Sequence, residues 1–371
     1  MRQPQGVSRA VAIPAKRDRT AAVCPINSIS PVYVPMSSIV LIALASAVVA
    51  ACLLSSAILV AIRPLLVRYA PARPNARSSH KIPTPQGGGI AVIASALAVA
   101  GVAVAIALPA ALPSLGVLFG AAVLMALIGA VDDVRPIPVL PRLLLQAAAV
   151  GAVLYALPAD LQIVPACPLW LERLLLLLAG LWFVNLVNFM DGLDWITAAE
   201  VIPVTAALAL FGLAGALPPV AALVAAALGG AMAGFAPFNR PVARIFLGDV
   251  GSLPIGLLLA WCFVELAFAG HLAAAILLPL YYLADATLTL LRRAAKREPV
   301  WQAHRSHFYQ RATDNGFAVI EVVQFVFLLN IGLAALAALS VYFTSTMSSV
   351  ILLVLGVAAV AFVLRAFSTK R

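Results

Sequence analysis

Apolar residues run along this chain in long uninterrupted stretches, with the charges standing between them. No Asp, Glu, Lys or Arg occurs between Lys81 and Asp132, between Glu200 and Arg240, or between Glu321 and Arg365. A helix crosses the hydrocarbon of a bilayer in about 20 residues. Each gap therefore holds two crossings, and each is broken by turn-forming residues, at 108–114, 212–219 and 343–349. The remaining apolar runs supply one crossing each. The predicted spans are roughly 37–62, 88–108, 115–131, 143–158, 171–187, 198–213, 218–235, 251–268, 272–291, 318–343 and 349–367. The fold class is thus all-α, a polytopic integral membrane protein of about eleven transmembrane helices. Strands are not expected, because the runs are apolar throughout rather than alternating.

Composition agrees. The chain of 371 residues is 64% hydrophobic and 10% charged, with a mean hydropathy of +1.07. A soluble domain carries about 25% charged residues; this chain has too little polar surface to cover itself in water, which excludes a soluble enzyme. The cysteines Cys24, Cys52, Cys167 and Cys262 are scattered without paired spacing, which excludes a disulfide-framed module.

The net charge of +10 would point a soluble protein toward nucleic acid. Here it gathers on one side of the predicted spans. One set of loops carries Arg63, Arg68, Arg73, Arg77, Lys81, Arg135, Arg142, Arg240, Arg244, Arg292, Arg293, Lys296, Arg297, Arg305 and Arg311, and the tail adds Arg365, Lys370 and Arg371. The opposite loops carry Arg173. The excess of Lys and Arg marks the cytoplasmic face. Eleven crossings then put the C-terminus in the cytoplasm and the N-terminus outside. Residues 1–35 hold five basic residues on the wrong side of that arrangement and lack apolar periodicity. They read as a disordered extension or as a start assigned too early, ahead of a single transmembrane domain over 36–371.

Five polar islands interrupt the cytoplasmic ends of the helices. The first runs from Arg73 through His80 and Lys81 to Gly87-Gly88-Gly89. Backbone N–H groups at a helix start, with cations nearby, suit a phosphate; glycines there equally permit close helix packing. The second, Asp132-Asp133-Val-Arg135 with Arg142 and Gln146, sets two carboxylates side by side, an arrangement that calls for a metal ion or an arginine. The third is Asn185-Leu-Val-Asn188-Phe-Met-Asp191-Gly-Leu-Asp194. If its helix continues, Asn188, Asp191 and Asp194 share a face.

The fourth island, from Asn239 through Phe246 to Gly248-Asp249-Val-Gly251-Ser252, offers a carboxylate to a hard cation and backbone donors to phosphate oxygens; an ordinary helix cap is the plainer reading. The fifth holds His304-Arg305-Ser-His307. No cysteine or third histidine stands near enough for zinc, and phosphate binding fits better. Asp285, in an apolar segment, either pairs with Arg292 or Arg293, reaches the site, or makes an interhelical hydrogen bond.

In this order, from about Arg73 to Arg311, the islands resemble the polyprenyl-phosphate N-acetylhexosamine-1-phosphate transferases. The resemblance rests on the Asp-Asp pair, the N-F-M-D-G-L-D run and the F-L-G-D-x-G-S run. It implies transfer of a HexNAc-1-phosphate from a UDP-sugar to polyprenyl (undecaprenyl) phosphate, with Mg2+ as cofactor and Mn2+ as substitute. It implies Asp132, Asp133 and Asp191 as catalytic acids and Asp249 as the metal ligand. Lys81, Asn188, Asp194, Asn239 and Phe246 would hold the nucleotide sugar, and His304, Arg305 and His307 the diphosphate. The implied partners are the lipid, the UDP-N-acetylhexosamine and the membrane, not nucleic acid, with a homodimer left open. The implied location is the bacterial inner membrane.

Two features depart from the family pattern. Trp195 stands where a glycine is usual, and the histidine loop reads His-Arg-Ser-His rather than consecutive histidines. The second resembles the O-antigen-initiating branch more than the phospho-MurNAc-pentapeptide transferase, which remains the alternative. A flippase is the rival from another class. Transporters bind near the bilayer midplane, whereas these acids cluster at helix ends on one side.

Overall fold

The computed structural model describes residues 38–72, 84–158, 161–299 and 304–371. The N-terminal 35 residues and Lys81 lie outside this set, so the expectations placed on them are not addressed by the structure. The described chain is built from helices α1 (Ser38–Tyr69), α2 (Gly89–Ala107), α3 (Leu112–Val134), α4 (Val139–Tyr155), α5 (Leu169–Met190), α6 (Ile196–Leu213), α7 (Pro219–Phe235), α8 (Asp249–Phe268), α9 (Leu272–Leu277), α10 (Leu280–Ala295), α11 (Phe308–Asp314), α12 (Val319–Tyr342) and α13 (Thr346–Ser368). The β-structure among the described residues is a two-residue antiparallel pairing of Pro71–Ala72 (β1) with Thr84–Pro85 (β2) and an isolated parallel bridge between Gln86 and Phe246, outside the apolar runs.

Nine of the described helices are long and apolar enough to cross a membrane: the chain is a multi-pass membrane protein. Two of the eleven predicted spans differ. The fourth is the apolar helix α4, of 17 residues. The ninth is broken, because Pro279 ends the run of α9 and starts α10. Proline has no N–H to give a continuing helix and crowds the preceding turn, so residues 272–291 form a short helix and a second, strongly amphipathic one.

The bundle has an inside and an outside. In α8 78% of the apolar stretch is buried, against 28% in α13 and 33% in α1, so α8 is central while α1 and α13 face lipid. Small residues allow backbones to approach closely where lipid gives no hydrophobic drive to association. A Cβ on Gly89 of α2 would lie 2.2 Å from the Cα of Gly251 in α8, and one on Gly129 of α3 would lie 2.2 Å from the carbonyl oxygen of Asp249. These contacts press the ends of α2 and α3 against the start of α8, where the acidic residues collect.

Candidate active site

Asp132 and Asp133 end α3 and face different ways. The Asp132 carboxylate accepts the Ile137 N–H at 2.6 Å and the Arg142 guanidinium at 2.8 Å, which closes the turn between α3 and α4. Asp133 reaches across to α8 and accepts the N–H groups of Asp249 and Val250 at 3.0 and 3.1 Å. It caps a helix on which it does not lie, supplying the acceptor that a helix N-terminus lacks. The backbone donors expected to meet a phosphate at Gly248–Ser252 are therefore partly spent within the protein.

The triple glycine is used in the same way. Gly88 and Gly89 donate their N–H groups to the carbonyls of Phe246 and Leu247 at 2.9 and 2.8 Å. Phe246 in turn donates its N–H to the Pro85 carbonyl at 2.8 Å. Of the two readings of these glycines, the structure favours close packing.

Asp249 opens α8 beside α3 and α5. Its carboxyl is hydrogen-bonded by Asn188 and lies within hydrogen-bonding reach of Asp132. Asn188 also donates to the Ser252 hydroxyl at 3.0 Å. Asn185 turns away from this group, donating to Gln146 at 2.8 Å and tying α5 to α4. The expectation that Asn188, Asp191 and Asp194 share one helical face is not met. Helix α5 ends at Met190 and Asp191 is its C-cap. Asp191 accepts a short hydrogen bond from Thr197. Burial pushes its carboxyl up to about 7; the Thr197 bond opposes the shift and the nearby charges of Asp133 and Asp194 add to it.

Of Asp132, Asp133, Asp191 and Asp249, only Asp132 has a basic ion-pair partner among the described residues. No three His, Cys, Asp or Glu side chains among the described residues converge as a ready metal cage. Magnesium fits such a set: it commonly takes one or two carboxylates and completes its shell with water and substrate phosphate. A cavity of about 240 Å³ opens beside Asp133, with Leu66, Tyr69, Gln86, Ile90 and Val134 among its walls.

The residues expected at the nucleotide form a second knot next to the first. Asp194 is buried and accepts the Ala243 N–H at 2.9 Å. The Asn239 amide accepts the Trp195 N–H at 2.7 Å and donates to the Ile245 carbonyl at 3.0 Å. Trp195 adopts a left-handed φ of 65°, which suits the glycine usual there. Its indole N–H donates to the Ala236 carbonyl at 2.6 Å, so the ring packs against the end of α7. Phe246 is half-buried in the same segment.

The histidine loop joins from the far side. His304 and His307 lie with ring centres 4.9 Å apart. Tyr309 donates its hydroxyl to the Phe189 carbonyl at 3.0 Å, tying the loop to the segment that carries Asn188 and Asp191. Arg305 is engaged locally, with Thr313 at 3.0 Å and Asp314 at 3.5 Å. Asp285 pairs with neither Arg292 nor Arg293: Arg292 lies over the Phe308 ring at 4.3 Å and Arg293 meets Glu298 at 2.8 Å. Thr197, Ser252 and Tyr309 also hydrogen-bond within this group; Ser252 and Tyr309 stand in the polar islands without having been given a role, and Thr197 stands outside them. Ser252, three residues past Asp249, and Tyr309, two residues past His307, carried a signal by position; Thr197 carried none.

Residues 115–267 match the description of Glycosyl transferase family 4, a stretch that holds the Asp-Asp pair, Asp191, Asp194 and Asp249. A decaprenyl-phosphate N-acetylglucosaminephosphotransferase of Mycobacterium tuberculosis is 27% identical over 381 residues, covering 90% of this chain and 91% of that protein. On these comparisons the chain is similar to the polyprenyl-phosphate N-acetylhexosamine-1-phosphate transferases. A probable undecaprenyl-phosphate N-acetylglucosaminyl 1-phosphate transferase of Bacillus subtilis is 26% identical over 163 residues, 40% of this chain and 45% of that one. A phospho-N-acetylmuramoyl-pentapeptide-transferase of a Synechococcus strain is 47% identical, over 72 residues, 19% of this chain and 20% of that one. A similarity that covers 90% of the chain is thus to a protein named as an N-acetylglucosaminephosphotransferase.

Proposed function

We propose that this protein transfers an N-acetylhexosamine 1-phosphate from a UDP-sugar to polyprenyl phosphate at the cytoplasmic face of a bacterial inner membrane, releasing UMP. The observation that carries this reading is the gathering of Asp132, Asp133, Asn188, Asp191 and Asp249 at the ends of three membrane helices, beside a partly apolar cavity. The names of the similar proteins support a polyprenyl phosphate acceptor and, over a match that covers 90% of this chain, an N-acetylglucosamine donor. The orientation follows from the loop charges, with the N-terminus outside and the C-terminus in the cytoplasm.

In the reaction a phosphate oxygen of the lipid attacks the phosphorus that carries the sugar. The new P–O bond forms as the bond to the bridging oxygen breaks, and that electron pair leaves with UMP. Little covalent chemistry is asked of the protein; positioning and charge neutralisation do most of the work. Asp249, with Asp132 beside it, would hold magnesium, or manganese as a substitute, which when bound offsets the charge on the diphosphate and on the departing UMP. Asp133, in the wall of the cavity, and Asp132, fixed by Arg142, would orient the lipid phosphate at the end of α3. Asp191, raised toward neutrality by burial, would take up the remaining proton of a lipid phosphate that arrives as the monoanion. Asp194, Asn239 and Phe246 shape the nucleotide end, and His304 and His307 the diphosphate end.

The histidine loop, His-Arg-Ser-His, favours the branch that starts O-antigen synthesis over the pentapeptide transferase. A panel of UDP-sugars, including UDP-GlcNAc and UDP-MurNAc-pentapeptide, incubated with undecaprenyl phosphate and magnesium, tests the reading. The expected result is UMP release and a lipid-linked sugar with an unmodified HexNAc. Product from the pentapeptide donor alone would move the chain to the other branch, and no UMP from any donor would favour a flippase.

A further inference from the structure

Asp285 lies on α10, away from the acidic cluster, and is fully buried. Both of its oxygens are occupied. Oδ1 accepts the Phe308 N–H at 3.0 Å and the Thr289 hydroxyl at 3.3 Å, and faces His307 Nδ1 at 3.3 Å. Oδ2 accepts the Tyr309 N–H at 3.1 Å and the Tyr281 hydroxyl at 3.2 Å. Phe308 and Tyr309 are the first residues of α11, and His307 is its N-cap. One carboxylate therefore holds the first turn of α11 and one nitrogen of the histidine before it.

An ionised carboxylate only accepts hydrogen bonds. Its contact with Nδ1 requires that this nitrogen carry the proton, which leaves Nε2 as the ring nitrogen for a ligand. The ring is also fixed in plane. His307 is 2% exposed, stacks on Tyr309 with ring centres 5.7 Å apart and planes 28° apart, and has His304 at 4.9 Å. Tyr309 is anchored in turn to the Phe189 carbonyl.

We infer that Asp285 is a positioning residue that orients His307 and keeps a proton on Nδ1, so that Nε2 faces a phosphate oxygen of the bound diphosphate and, when the ring carries its second proton, donates to it. The substrate half of this statement rests on the function proposed above; the tautomer half does not. Carboxylates in the same relation to metal-bound histidines fix the ring and its tautomer, and losing them commonly costs about 10- to 100-fold in affinity or activity.

The test is nitrogen-15 NMR of the full-length protein in lipid vesicles, labelled at its 4 histidines, with His307→Gln to assign the signal. The expected spectrum shows His307 protonated at Nδ1, whether or not the second nitrogen also carries a proton. A bare Nδ1 with the proton on Nε2 overturns the inference, and this readout needs neither a variant of Asp285 nor a known substrate. Kinetics give the second arm. Asp285→Asn keeps the volume and an acceptor oxygen, and should lower kcat/KM for the UDP-sugar by about 10- to 100-fold. Adding His307→Gln to Asp285→Asn should then cost little more, because both changes act through one ring. Multiplying losses would show that Asp285 acts elsewhere and would sink the proposal. If the wild type releases no UMP from any UDP-sugar, the functional reading fails and the spectrum still decides the role of Asp285.

Discussion

The carboxylate of Asp133 receives the backbone N–H of Asp249 at 3.0 Å and that of Val250 at 3.1 Å, from a helix that begins 116 residues further along the chain. The acid assigned by resemblance to catalysis thus also sets the position of the acid assigned to the metal. Asp133→Ala should cost about 0.5–2 kcal/mol of stability, as loss of a helix cap does. It should also raise the magnesium concentration needed for half-maximal activity, because Asp249 would no longer be held. Asp133→Asn, which keeps an acceptor, should fall between Ala and wild type in both. Thermal unfolding and a magnesium titration check this; an unchanged magnesium requirement would separate Asp133 from the metal.

Asp249→Asn removes the charge and keeps the volume. Turnover should fall by orders of magnitude, with little rescue by added magnesium. Chelation of divalent cations should bring the wild type to the same level. Near-normal turnover of the variant would remove Asp249 from the metal.

Asp191 gives a pH dependence with a definite sign. Its carboxyl stands at about 7 in the folded protein against 3.8 for the free group, chiefly through burial. Between those values the folded state keeps a proton that the unfolded chain has released. The stabilisation is therefore complete below pH 3.8, declines through the interval, and is lost as pH rises through about 7. Unfolding midpoints measured without substrate and magnesium should fall from pH 5 to pH 8, and Asp191→Asn should flatten the slope. If Asp191 accepts a proton in the reaction, activity should rise over the same interval. A flat stability profile in the wild type would contradict the assignment.

Phe246 and Asn239 should fail differently. Stacking of a base on an aromatic ring is worth about 1–3 kcal/mol, so Phe246→Ala should raise the KM of the UDP-sugar by roughly 5- to 150-fold with kcat nearly unchanged. The Asn239 amide is bonded to Trp195 and to Ile245 on opposite sides. Asn239→Ala should therefore lower stability, by about 1–3 kcal/mol for the donor left unpaired, and affect both substrates. Separate titration of each substrate distinguishes the two patterns.

Charge gaps and apolar runs located nearly every helix in the sequence, because a bilayer imposes length and composition on whatever crosses it. The break at Pro279 was written in the sequence too, yet a proline inside an apolar run bends one helix and divides another, and local pattern does not say which. The acids were visible as types at helix ends. Their division of labour was not: whether Asp133 serves a substrate or the start of α8 depends on a contact between segments far apart in the chain. The same holds for Asn330 of α12, which donates to Glu200 of α6 at 2.7 Å across 130 residues. Asp285 stood among three open readings, and only the fold shows that its partners are the backbone of α11 and His307.

The glycine contacts at the start of α8 bear on how a loss-of-function screen of this protein should be read. Alanine at Gly129 would press on the carbonyl of Asp249, and alanine at Gly89 on the backbone of Gly251. Both changes would displace Asp249, the acid proposed for the metal, without removing a side chain proposed to meet a substrate. In an activity screen these glycines would score with the aspartates, and only a parallel measure of folded protein would tell scaffold from chemistry.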